Sequence, residues 1–565
     1  MEKREVKGAE ALLLSLVEEG VDTLFGYPGG AIMPLYDELY NFEGRLNHIL
    51  VRHEQGAVHA AEGYARATGK VGVCFATAGP GATNMVTGIT DAMMDSTPLV
   101  CITAQVTADM LGKDFFQEAD TISITIPITK WSYQITKASE VMSVIAKAFA
   151  VARSGRPGPV LISFTKNAQT ELTEYSYSKQ KRHTYHKTHT IEEAIRSAAE
   201  MINSSERPLI VAGQGVIQSG AESLLASVAE RGNLPVATTL LGISSIPSDH
   251  PLFAGNVGMH GNLAHNLMTQ ECDLLIGIGM RFSDRVTGVT KRYAPKAKVI
   301  HIELDKAEIN KNIKADLPIH TDAKLALEML SERVIYRDRV SWFEFADRCR
   351  KREEVEVVEK LLSDTDGELS MAQVIDKVAA AGKGEAVIVT DVGQNQMMAA
   401  RYSKFKHSRS MITSGGLGTM GFGLPAAIGA KLGVPHKEVV AVTGDGGLQM
   451  SIQELGTIMQ SDIGVKILLL NNSYLGMVRQ WQELFFKHRY SFTEMVNPDF
   501  HKIAEAYKIP SAKVTHYDEL DSAISLMMSH KGPYLLEVVV RNEENVFPMV
   551  PPGASLSNLI LDEKQ

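Results

Sequence analysis

The sequence has little cysteine, and the few cysteines lie far apart. Cys74, Cys101, Cys272 and Cys349 are the four in a chain of 565 residues. Metal sites and disulfide frameworks need cysteines at recurring intervals, and these four have no such spacing. Three of them lie in or beside apolar runs. The sequence therefore favours buried, reduced thiols.

Long apolar runs are also missing. No segment reaches the roughly eighteen to twenty consecutive apolar residues that a membrane-spanning helix needs. The N-terminal stretch MEKREVKGAEALL is charged and lacks the apolar core of a signal peptide. We therefore expect a complete cytoplasmic protein with no membrane association.

Positive charge is in deficit. Lys and Arg number 57 against 66 Asp and Glu, a net charge of −9. Because the predicted helices carry no basic runs, the sequence indicates no basic surface that would bind nucleic acid or an anionic membrane. Small anionic ligands would need local arginines, backbone amides or a metal ion. The length predicts three or four domains of about 150 residues each, and the 44% hydrophobic content is typical of globular proteins.

The most informative stretch is residues 442–481. An apolar run (439–443) ends in the turn GDGG, a helical pattern follows, and a second apolar run (465–470) ends in Asn471 and Asn472. This is a strand-helix-strand unit of a parallel sheet, with both polar endings at one edge. Glycines let backbone N–H groups approach a phosphate, while carboxylate and carboxamide oxygens are hard ligands for a divalent cation. The stretch therefore predicts a diphosphate held on Mg²⁺.

The specificity of this stretch comes from its spacing. A GDG triplet alone is an ordinary turn. Here GDG is followed by twenty-four residues (447–470) and then by NN. This pattern resembles the signature of thiamine-diphosphate enzymes.

Residues 1–168 alternate helical and strand patterns, with glycine-rich turns after the strands. Such alternation predicts a doubly wound α/β domain, whose ligand sites lie at the carboxyl ends of the strands. Glu54 follows an apolar strand directly and precedes a helix. Alone, it would be interpreted as a carboxylate that complements a helix dipole. Beside a diphosphate motif, it becomes the candidate carboxyl group that thiamine chemistry needs on the aminopyrimidine ring.

A polar stretch separates this domain from the next. Residues 170–189 have no sustained period and predict a solvated linker. A metal cluster of His183, His186 and His189 is the less favoured alternative. A second α/β domain is predicted for residues 190–340.

Two strands of the second domain end in residues suited to a nucleotide. The first leads into RFSDRVTG (281–288), and the second is followed by Glu303 and Asp305. Arginine suits phosphates or an electron-rich ring, and acids suit ribose hydroxyls. Surface salt bridges remain the alternative. The glycine turn at Gly213 and Gly215 lacks the third glycine of a dinucleotide fingerprint and is weak alone.

The remaining chain forms an arm and a third domain. Residues 337–368 are charge-rich and helical, which predicts a connecting arm across the surface. The third domain is predicted for residues 368–550. Its first strand ends at Asp391, and a glycine-rich segment (412–421) precedes the GDG motif. The first and third domains share a strand-to-glycine-turn plan, which suggests a diverged duplication.

Several motifs together identify a family. They include GYPGGAIMPLYDEL, VRHEQGAVHAAEGYAR, TAGPGATN, FFQEAD, GRPGPVLI, GMHG, RFSDRVTG, SGGLGTMGFGLPAAIGA, the GDG and NN unit, and GMVRQWQ. Over about residues 5–552 the chain resembles the acetohydroxyacid (acetolactate) synthases, in their biosynthetic, FAD-containing catalytic form. RFSDRVTG and GMVRQWQ distinguish this biosynthetic form from the flavin-free catabolic acetolactate synthases, which look different at these positions. The resemblance implies three doubly wound parallel-sheet domains, which are pyrimidine-binding, FAD-binding and diphosphate-binding in chain order.

The resemblance also implies a thiamine site. Asp445, Asn472 and the backbone carbonyl of Tyr474 would bind Mg²⁺. Glu54, Gln117, Met420 and Trp481 would be catalytic, with Met420 holding the bent cofactor. The other residues that would line the cofactor site are Tyr27, Pro80, Asn84, Val392, Gly393, Gln394, Asn395, Gly418, Gly446 and Gly447. Because Glu54 and Asp445 belong to different domains, the resemblance implies that they meet across a dimer interface.

An FAD site is implied in the same way. Its residues would be Arg156, Gly213, Gly215, Thr239, Leu240, Met259, His260, Arg281, Arg285, Glu303, Asp305 and Asp322. Some positions depart from the plant enzymes of the family. Ser283 stands where those enzymes carry Asp, Thr321 where they carry Gly, and residues 107–109 where they carry a Pro-Arg-Arg-like segment. These departures put the binding of flavin and of inhibitors in question.

The implied reaction decarboxylates pyruvate and transfers the two-carbon unit to a second pyruvate or to 2-oxobutyrate. The products would be 2-acetolactate or 2-aceto-2-hydroxybutyrate, for valine, leucine and isoleucine biosynthesis. No net electron transfer occurs, so the flavin would be structural. A homodimer or dimer of dimers, and a separate small regulatory subunit, are the implied partners. A pyruvate oxidase, a simple 2-oxoacid decarboxylase and a non-catalytic paralogue are the alternatives.

Overall fold

A computed structural model describes residues 4–180, 185–363 and 367–563. It contains three six-stranded parallel sheets, one in each predicted domain, and each sheet is flanked by helices. The predicted fold class is therefore confirmed. In the described part of the chain, no helix combines the length and the hydropathy that crossing a membrane requires.

The first domain holds its sheet in the order β3-β2-β4-β5-β7-β6. The strands are β1 Arg4–Lys7, β2 Thr23–Gly26, β3 Asn47–Leu50, β4 Gly72–Ala76, β5 Leu99–Gln105, β6 Trp131–Ile135, β7 Pro159–Thr165 and β8 Leu172–Tyr175. The helices are α1 Gly8–Glu18, α2 Met33–Leu39, α3 Glu54–Thr68, α4 Pro80–Asn84, α5 Val86–Met94, α6 Thr121–Thr125, α7 Val141–Arg153 and α8 Lys166–Thr170. Successive residues of β4 point into different cores: Cys74 into one, Val73 and Phe75 into the other. The sheet is thus covered on both faces.

One part of the linker prediction was wrong. β8 pairs antiparallel with β1, with Lys7 opposite Leu172, so residues 172–175 belong to a two-stranded sheet. Two strands far apart in sequence make this pair, and a local polar pattern does not reveal a distant partner. His183 lies outside the described residues.

The central domain has the strand order β11-β10-β9-β12-β13-β14. The strands are β9 Pro208–Ala212, β10 Val236–Thr238, β11 Phe253–Asn256, β12 Leu274–Ile278, β13 Lys298–Glu303 and β14 Leu317–His320. The helices are α9 His189–Ser204, α10 Gln214–Ser219, α11 Glu222–Gly232, α12 Leu263–Glu271, α13 Asp284–Thr287 and α14 Ala323–Ser331. In this domain's own numbering the order is 3-2-1-4-5-6, which is typical of dinucleotide-binding folds. The order reverses between β9 and β12.

The predicted arm is helical. It contains α15 Val340–Glu353, a π-helical segment Glu354–Val358 and α16 Glu359–Leu362. Trp342 anchors the arm, because its indole is buried and donates to the carbonyl of Pro208 at 2.8 Å.

The third domain has the order β16-β15-β17-β18-β20-β19. The strands are β15 Val387–Thr390, β16 Met411–Thr413, β17 Val439–Gly444, β18 Lys466–Asn471, β19 Ser511–Val514 and β20 Tyr534–Val539. The helices are α17 Met371–Gly382, α18 Gln394–Tyr402, α19 Gly423–Gly433, α20 Asp445–Ser451, α21 Leu455–Ser461, α22 Gly476–Phe485, α23 Phe500–Ala506 and α24 Tyr517–Ser529. Numbered within each domain, the first and third sheets have the same order, 2-1-3-4-6-5. This shared order is what a duplication would produce.

Helices α3 and α19 join the first domain to the third. A Cβ built on Gly63 would lie 1.9 Å from the carbonyl oxygen of Ala426, and one on Gly429 would lie 1.7 Å from that of Ala60. Side chains at these two positions would therefore force the helices apart. One continuous hydrophobic core extends across both helices and both sheets.

This close approach predicts the effect of Gly429→Ala. The added methyl has no space beside the Ala60 carbonyl, and overpacking of this kind costs about 1–3 kcal/mol. We expect a lower midpoint of thermal unfolding, measured by differential scanning calorimetry. Gly464→Ala is the matched control, because a Cβ there would make only ordinary contact, 3.5 Å from Lys431 Cε. Equal midpoints for both variants would contradict the analysis.

Candidate active site

A cavity of about 890 Å³ lies where the three domains meet. The first domain contributes Ser96 and Arg156 to its lining, and the third contributes Gly418 and Trp481. The central domain lines most of it, from the segments that follow β9, β12 and β13. This is the edge at which the strand order reverses, where such folds bind dinucleotides.

Most of the predicted FAD residues line this cavity. They are Arg156, Gly215, Thr239, Leu240, Met259, His260, Arg281, Arg285, Glu303 and Asp322. Gly213 and Asp305 are not part of the lining. A Cβ on Gly213 would lie 2.2 Å from the carbonyl oxygen of Gly279, so this glycine serves the close packing of two loops. Asp305 forms a 3.7 Å ion pair with Arg156.

The cavity contains polar atoms suited to a ligand. Within the described ranges, His260 Nδ1 and Thr321 Oγ1 are buried and have no hydrogen-bond partner. Both residues line the cavity. Buried polar atoms are seldom left unsatisfied, so a bound group with donors and acceptors would fit here. The lining is therefore compatible with a dinucleotide.

Two titratable side chains of the cavity have pKa values that differ from their ordinary values. Burial raises the pKa of Glu303 to about 7, against the backbone N–H groups that favour its ionised form. Burial, followed by the charges of Arg401 and Arg285, lowers the pKa of His260 to about 4. His260 is thus neutral at neutral pH, while Glu303 can offer a proton as well as accept one.

A second group of predicted residues lies at the ends of β17 and β18. Gly444 is opposite Leu470 in the paired strands, so Asp445 and Asn472 emerge at the same edge. Asp445 is 1% exposed, and burial raises the pKa of its carboxyl group. Asn472 Oδ1 accepts from the N–H of Tyr474 at 3.2 Å. A buried carboxylate beside an amide oxygen is a donor set that fits a hard divalent cation.

Asn497, which the sequence analysis missed, completes this group. Its Nδ2 donates to Asp445 Oδ2 at 2.6 Å and to Asn471 Oδ1 at 2.9 Å. It lies 52 residues after Asp445, in a segment without regular structure. No periodicity could have marked it.

Asp391 organises the glycine-rich segment that carries Met420. Its buried carboxylate accepts from the N–H groups of Val392, Gly421 and Gly423 at 2.8, 3.0 and 2.9 Å. The methyl of Met420 lies 3.5 Å from the position of a Cβ on Gly446. Met420 therefore stands directly over the turn that follows β17.

The predicted residues at the start of α18 are held tightly. Gly393 has φ 128°, a conformation that favours glycine, and precedes the helix as its N-cap. Gln394 Nε2 donates to the Glu544 carbonyl at 2.7 Å, and Asn395 Nδ2 donates to the Val442 carbonyl at 3.1 Å. These two amides thus fix the loop rather than face open space. Val392, Gly393 and Gly418 line the cavity.

Glu54 lies in a third group, in the first domain. It is 8% exposed, and its Oε2 accepts from Asn84 Nδ2 at 2.9 Å. A Cβ on Gly79 would lie 2.8 Å from the Gln117 carbonyl oxygen, so Gln117 packs on the turn before Pro80. Gln117 has φ 61°, which is uncommon for a residue other than glycine and is often found at functional sites. Tyr27 follows β2 and is 41% exposed.

The Glu54 group and the Asp445 group are not bonded to each other in the described residues. In the described part of the protein, no hydrogen bond or ion pair joins Glu54, Asn84 or Gln117 to Asp445 or Asn472.

Trp481 lines the cavity and also packs against a small hydrophobic cluster that includes Phe547 and Met549. It is half-buried, lines the cavity beside Met477, and packs edge-on against Phe485 with ring centroids 5.4 Å apart. In the same helix, α22, the neighbouring residues Arg479 and Gln480 are buried.

Comparison with known proteins gives the family. Family models for the N-terminal TPP binding domain, the central domain and the C-terminal TPP binding domain of thiamine pyrophosphate enzymes match residues 6–124, 195–330 and 391–538. The chain is 45% identical to the probable acetolactate synthase large subunit of Methanocaldococcus jannaschii, over 98% of this chain and 95% of that protein. The chain belongs to the acetolactate synthase large-subunit family of thiamine pyrophosphate enzymes.

Two further relatives show the same agreement over their whole length. Identity is 42% to the acetolactate synthase large subunit of Lactococcus lactis, over 99% of this chain and 96% of that protein. It is 42% to the acetolactate synthase isozyme 2 large subunit of Escherichia coli, over 98% and 99%. The prediction of a thiamine-diphosphate enzyme of the acetolactate synthase type is thereby confirmed. The spacing of GDG and NN pointed to the thiamine-diphosphate enzymes, and the further motifs, above all RFSDRVTG and GMVRQWQ, pointed to the acetolactate synthases.

Proposed function

We propose that the chain joins two molecules of pyruvate into 2-acetolactate with release of carbon dioxide, and also accepts 2-oxobutyrate as the second substrate. Full-length similarity to large subunits named for this reaction supports the proposal. The observation that carries the residue assignment is the buried Glu54, bonded to Asn84 and set at the start of α3. The proposed domain roles are pyrimidine binding for 1–168, FAD binding for 190–340 and diphosphate binding for 368–550.

Thiamine diphosphate supplies, when bound, a carbon nucleophile and an electron sink for decarboxylation. The chain's own residues position it and handle protons. Glu54 would hydrogen-bond the aminopyrimidine ring, with Tyr27, Pro80, Asn84 and Gln117 around it. Met420 would pack under the bent cofactor and support it, and Gly393, Gln394, Gly446 and Gly447 would approach the diphosphate.

Asp445, Asn472 and the Tyr474 carbonyl would hold Mg²⁺. The fit rests on the buried carboxylate and on the strand register that brings the two segments together. A divalent cation would keep Asp445 ionised in a site where burial alone raises its pKa.

FAD would occupy the cavity of the central domain. The dinucleotide strand order, the ten predicted residues in the lining and the unsatisfied His260 Nδ1 support this assignment. Because the reaction transfers no net electrons, the flavin would act by shaping the cavity. Gly418 and Trp481 are part of its wall.

A second copy of the chain would complete the site. Exposed apolar side chains flank the Asp445 group, with Phe492 and Val496 100% and 99% exposed. Others flank the Glu54 group, where Phe116 is 87% exposed. Their exposure beside both groups supports a protein interface on these surfaces. A homodimer, or a dimer of dimers, would bring Glu54 of one copy to Asp445 of the other.

A separate small regulatory subunit and a cytoplasmic location complete the proposal. The relatives are named large subunits, which implies a smaller companion in those proteins.

The first prediction tests the function itself. The purified protein should form acetolactate from pyruvate when thiamine diphosphate, Mg²⁺ and FAD are supplied, as measured colorimetrically after acid conversion to acetoin. Glu54→Gln should reduce the rate by about 10² to 10⁴, the usual contribution of a positioned acid or base. Acetaldehyde as main product, or oxygen uptake with pyruvate, would favour a decarboxylase or an oxidase instead.

The second prediction concerns Asp445→Ala. The variant removes the only carboxylate of the proposed Mg²⁺ site, so the diphosphate would keep its charge repulsion. We expect loss of thiamine diphosphate on gel filtration, with the fold intact by circular dichroism. Asp462→Ala is a control on the same domain, since Asp462 ends α21 on the surface. Retention of the cofactor by Asp445→Ala would refute the metal assignment.

The third prediction concerns Trp481→Leu. If the indole meets the alkyl end of the acceptor, 2-oxobutyrate buries one more methylene than pyruvate, worth about 0.8 kcal/mol from area alone. The wild type should then prefer 2-oxobutyrate by several-fold to about a hundredfold. The variant should lose most of this preference while still forming acetolactate. A competition between both acceptors measures the product ratio, and an unchanged ratio would remove Trp481 from the acceptor site.

A further inference from the structure

A buried carboxylate of the third domain binds the backbone just before Glu54. Glu454 is fully buried, and both of its carboxylate oxygens accept from the N–H of Arg52, at 3.1 and 3.2 Å. Thr457 Oγ1 donates to Glu454 Oε2 at 2.6 Å and keeps the carboxylate oriented. The contact joins residues 402 positions apart, in different domains.

This contact acts on the turn that delivers Glu54. Strand β3 ends at Leu50, and helix α3 begins at Glu54, so Arg52 lies in the short connection between them. The Arg52 guanidinium adds bonds to the Gly456 carbonyl at 3.1 Å and to Gln460 Oε1 at 2.7 Å. The connection is therefore held by the third domain through both its backbone and its side chain. A negative charge next to the first turn of α3 also suits the free N–H groups of a helix N-terminus.

Gly56 makes room for this carboxylate. A Cβ on Gly56 would lie 2.6 Å from Glu454 Oε1, 2.9 Å from Cδ and 3.4 Å from Cγ, and these three Glu454 atoms are its nearest neighbours. Gly56 has an ordinary helical conformation, so the backbone does not require glycine there. The requirement for a small residue comes from Glu454.

A carboxylate is a costly choice for plain packing. Burial raises the pKa of Glu454, and the Thr457 hydroxyl and the N–H of Arg52 act against this shift. An apolar side chain would fill the space without the desolvation cost of a charged group. What only a carboxylate provides is a strong, two-oxygen acceptor for the main chain of this turn.

We propose that Glu454 is a positioning residue that fixes the carboxyl group of Glu54 against the cofactor ring. The inference rests on the role given to Glu54 under the proposed function. Glu454 does not touch the reacting atoms; it acts through the Arg52 backbone. It follows Asp445 by nine residues, through α20 and the 3₁₀ turn Ile452–Glu454. In the proposed dimer, Asp445 of one chain would bind Mg²⁺ in one site, while Glu54 of the same chain would act in the other site. Glu454 thus connects the two sites through a single chain.

The first test compares Glu454→Ala, Glu454→Gln and wild type. Hydrogen exchange by mass spectrometry, on the full-length protein with and without its cofactors, should show at least about tenfold faster exchange at Arg52 and His53 in Glu454→Ala. In steady-state kinetics, kcat should fall by about 10- to 100-fold, in the range that small misplacements of a catalytic group produce. KM for pyruvate should change less than about threefold. Glu454→Gln keeps one acceptor oxygen, so its exchange rate and its kcat should lie between those of wild type and Glu454→Ala.

The second test uses the contact with Gly56. Gly56→Ala alone should lower kcat, because its methyl collides with Glu454. In the double variant Gly56→Ala with Glu454→Ala the collision is gone, so its kcat should equal that of Glu454→Ala within about twofold. If the fold-losses in kcat of the two single variants instead multiply in the double variant, the two positions do not act on one turn.

Asp273→Asn is the matched control, since Asp273 also accepts from two backbone N–H groups, those of Glu206 and Arg207, but lies in the central domain just before β12. It should leave kcat and exchange at Arg52 unchanged. Unaltered exchange and kcat in Glu454→Ala would overturn the inference. Altered exchange with normal kcat would also overturn it, since the turn would then not position Glu54. A wild type without acetolactate activity would instead overturn the proposed function, and the exchange result would still report on the contact.

Discussion

The packing of α3 against α19 is the constraint on which the rest of the structure depends. Helix α3 begins at Glu54, and α19 begins at Gly423, three residues after Met420. Backbone touches backbone at Gly63 and Gly429, so neither helix can shift without breaking the contact. A core that is continuous across the interface then makes the first and third domains one body. The segments at the start of each helix inherit this rigidity.

Buried carboxylates extend the same constraint to the cavity wall. Asp95 accepts from the N–H groups of Gly415 and Gly416 at 2.7 and 2.6 Å, and Asp91 accepts from Ser414 Oγ at 2.7 Å. Both acids lie in or next to α5 of the first domain, and their partners line the cavity. Burial, with the charges of Glu62 and Asp95 adding to it, raises the pKa of Asp91 to about 8. Asp91 is therefore largely protonated at neutral pH, which reduces the charge that this interface must bury.

The sequence was sufficient where a local pattern encodes the structure. The spacing of GDG and NN predicted the strand-helix-strand unit, and the paired register of Gly444 with Leu470 confirms that the two ends meet. Patterns of this kind are read within one segment, and their geometry follows from strand and helix periods. Contacts between distant segments leave no such trace. Asn497 beside Asp445, β8 beside β1, and Glu454 beside Arg52 depend on how the domains pack.

The proposed division of the site between two copies agrees with this packing. Within one chain, Glu454 binds the backbone N–H of Arg52 just before Glu54, and no hydrogen bond or ion pair among the described residues joins Glu54 to Asp445. The close contact between α3 and α19 fixes Glu54 relative to the third domain of its own chain. In the proposed dimer each copy receives Glu54 from the other, and the exposed Phe116, Phe492 and Val496 lie on surfaces that the second copy would cover.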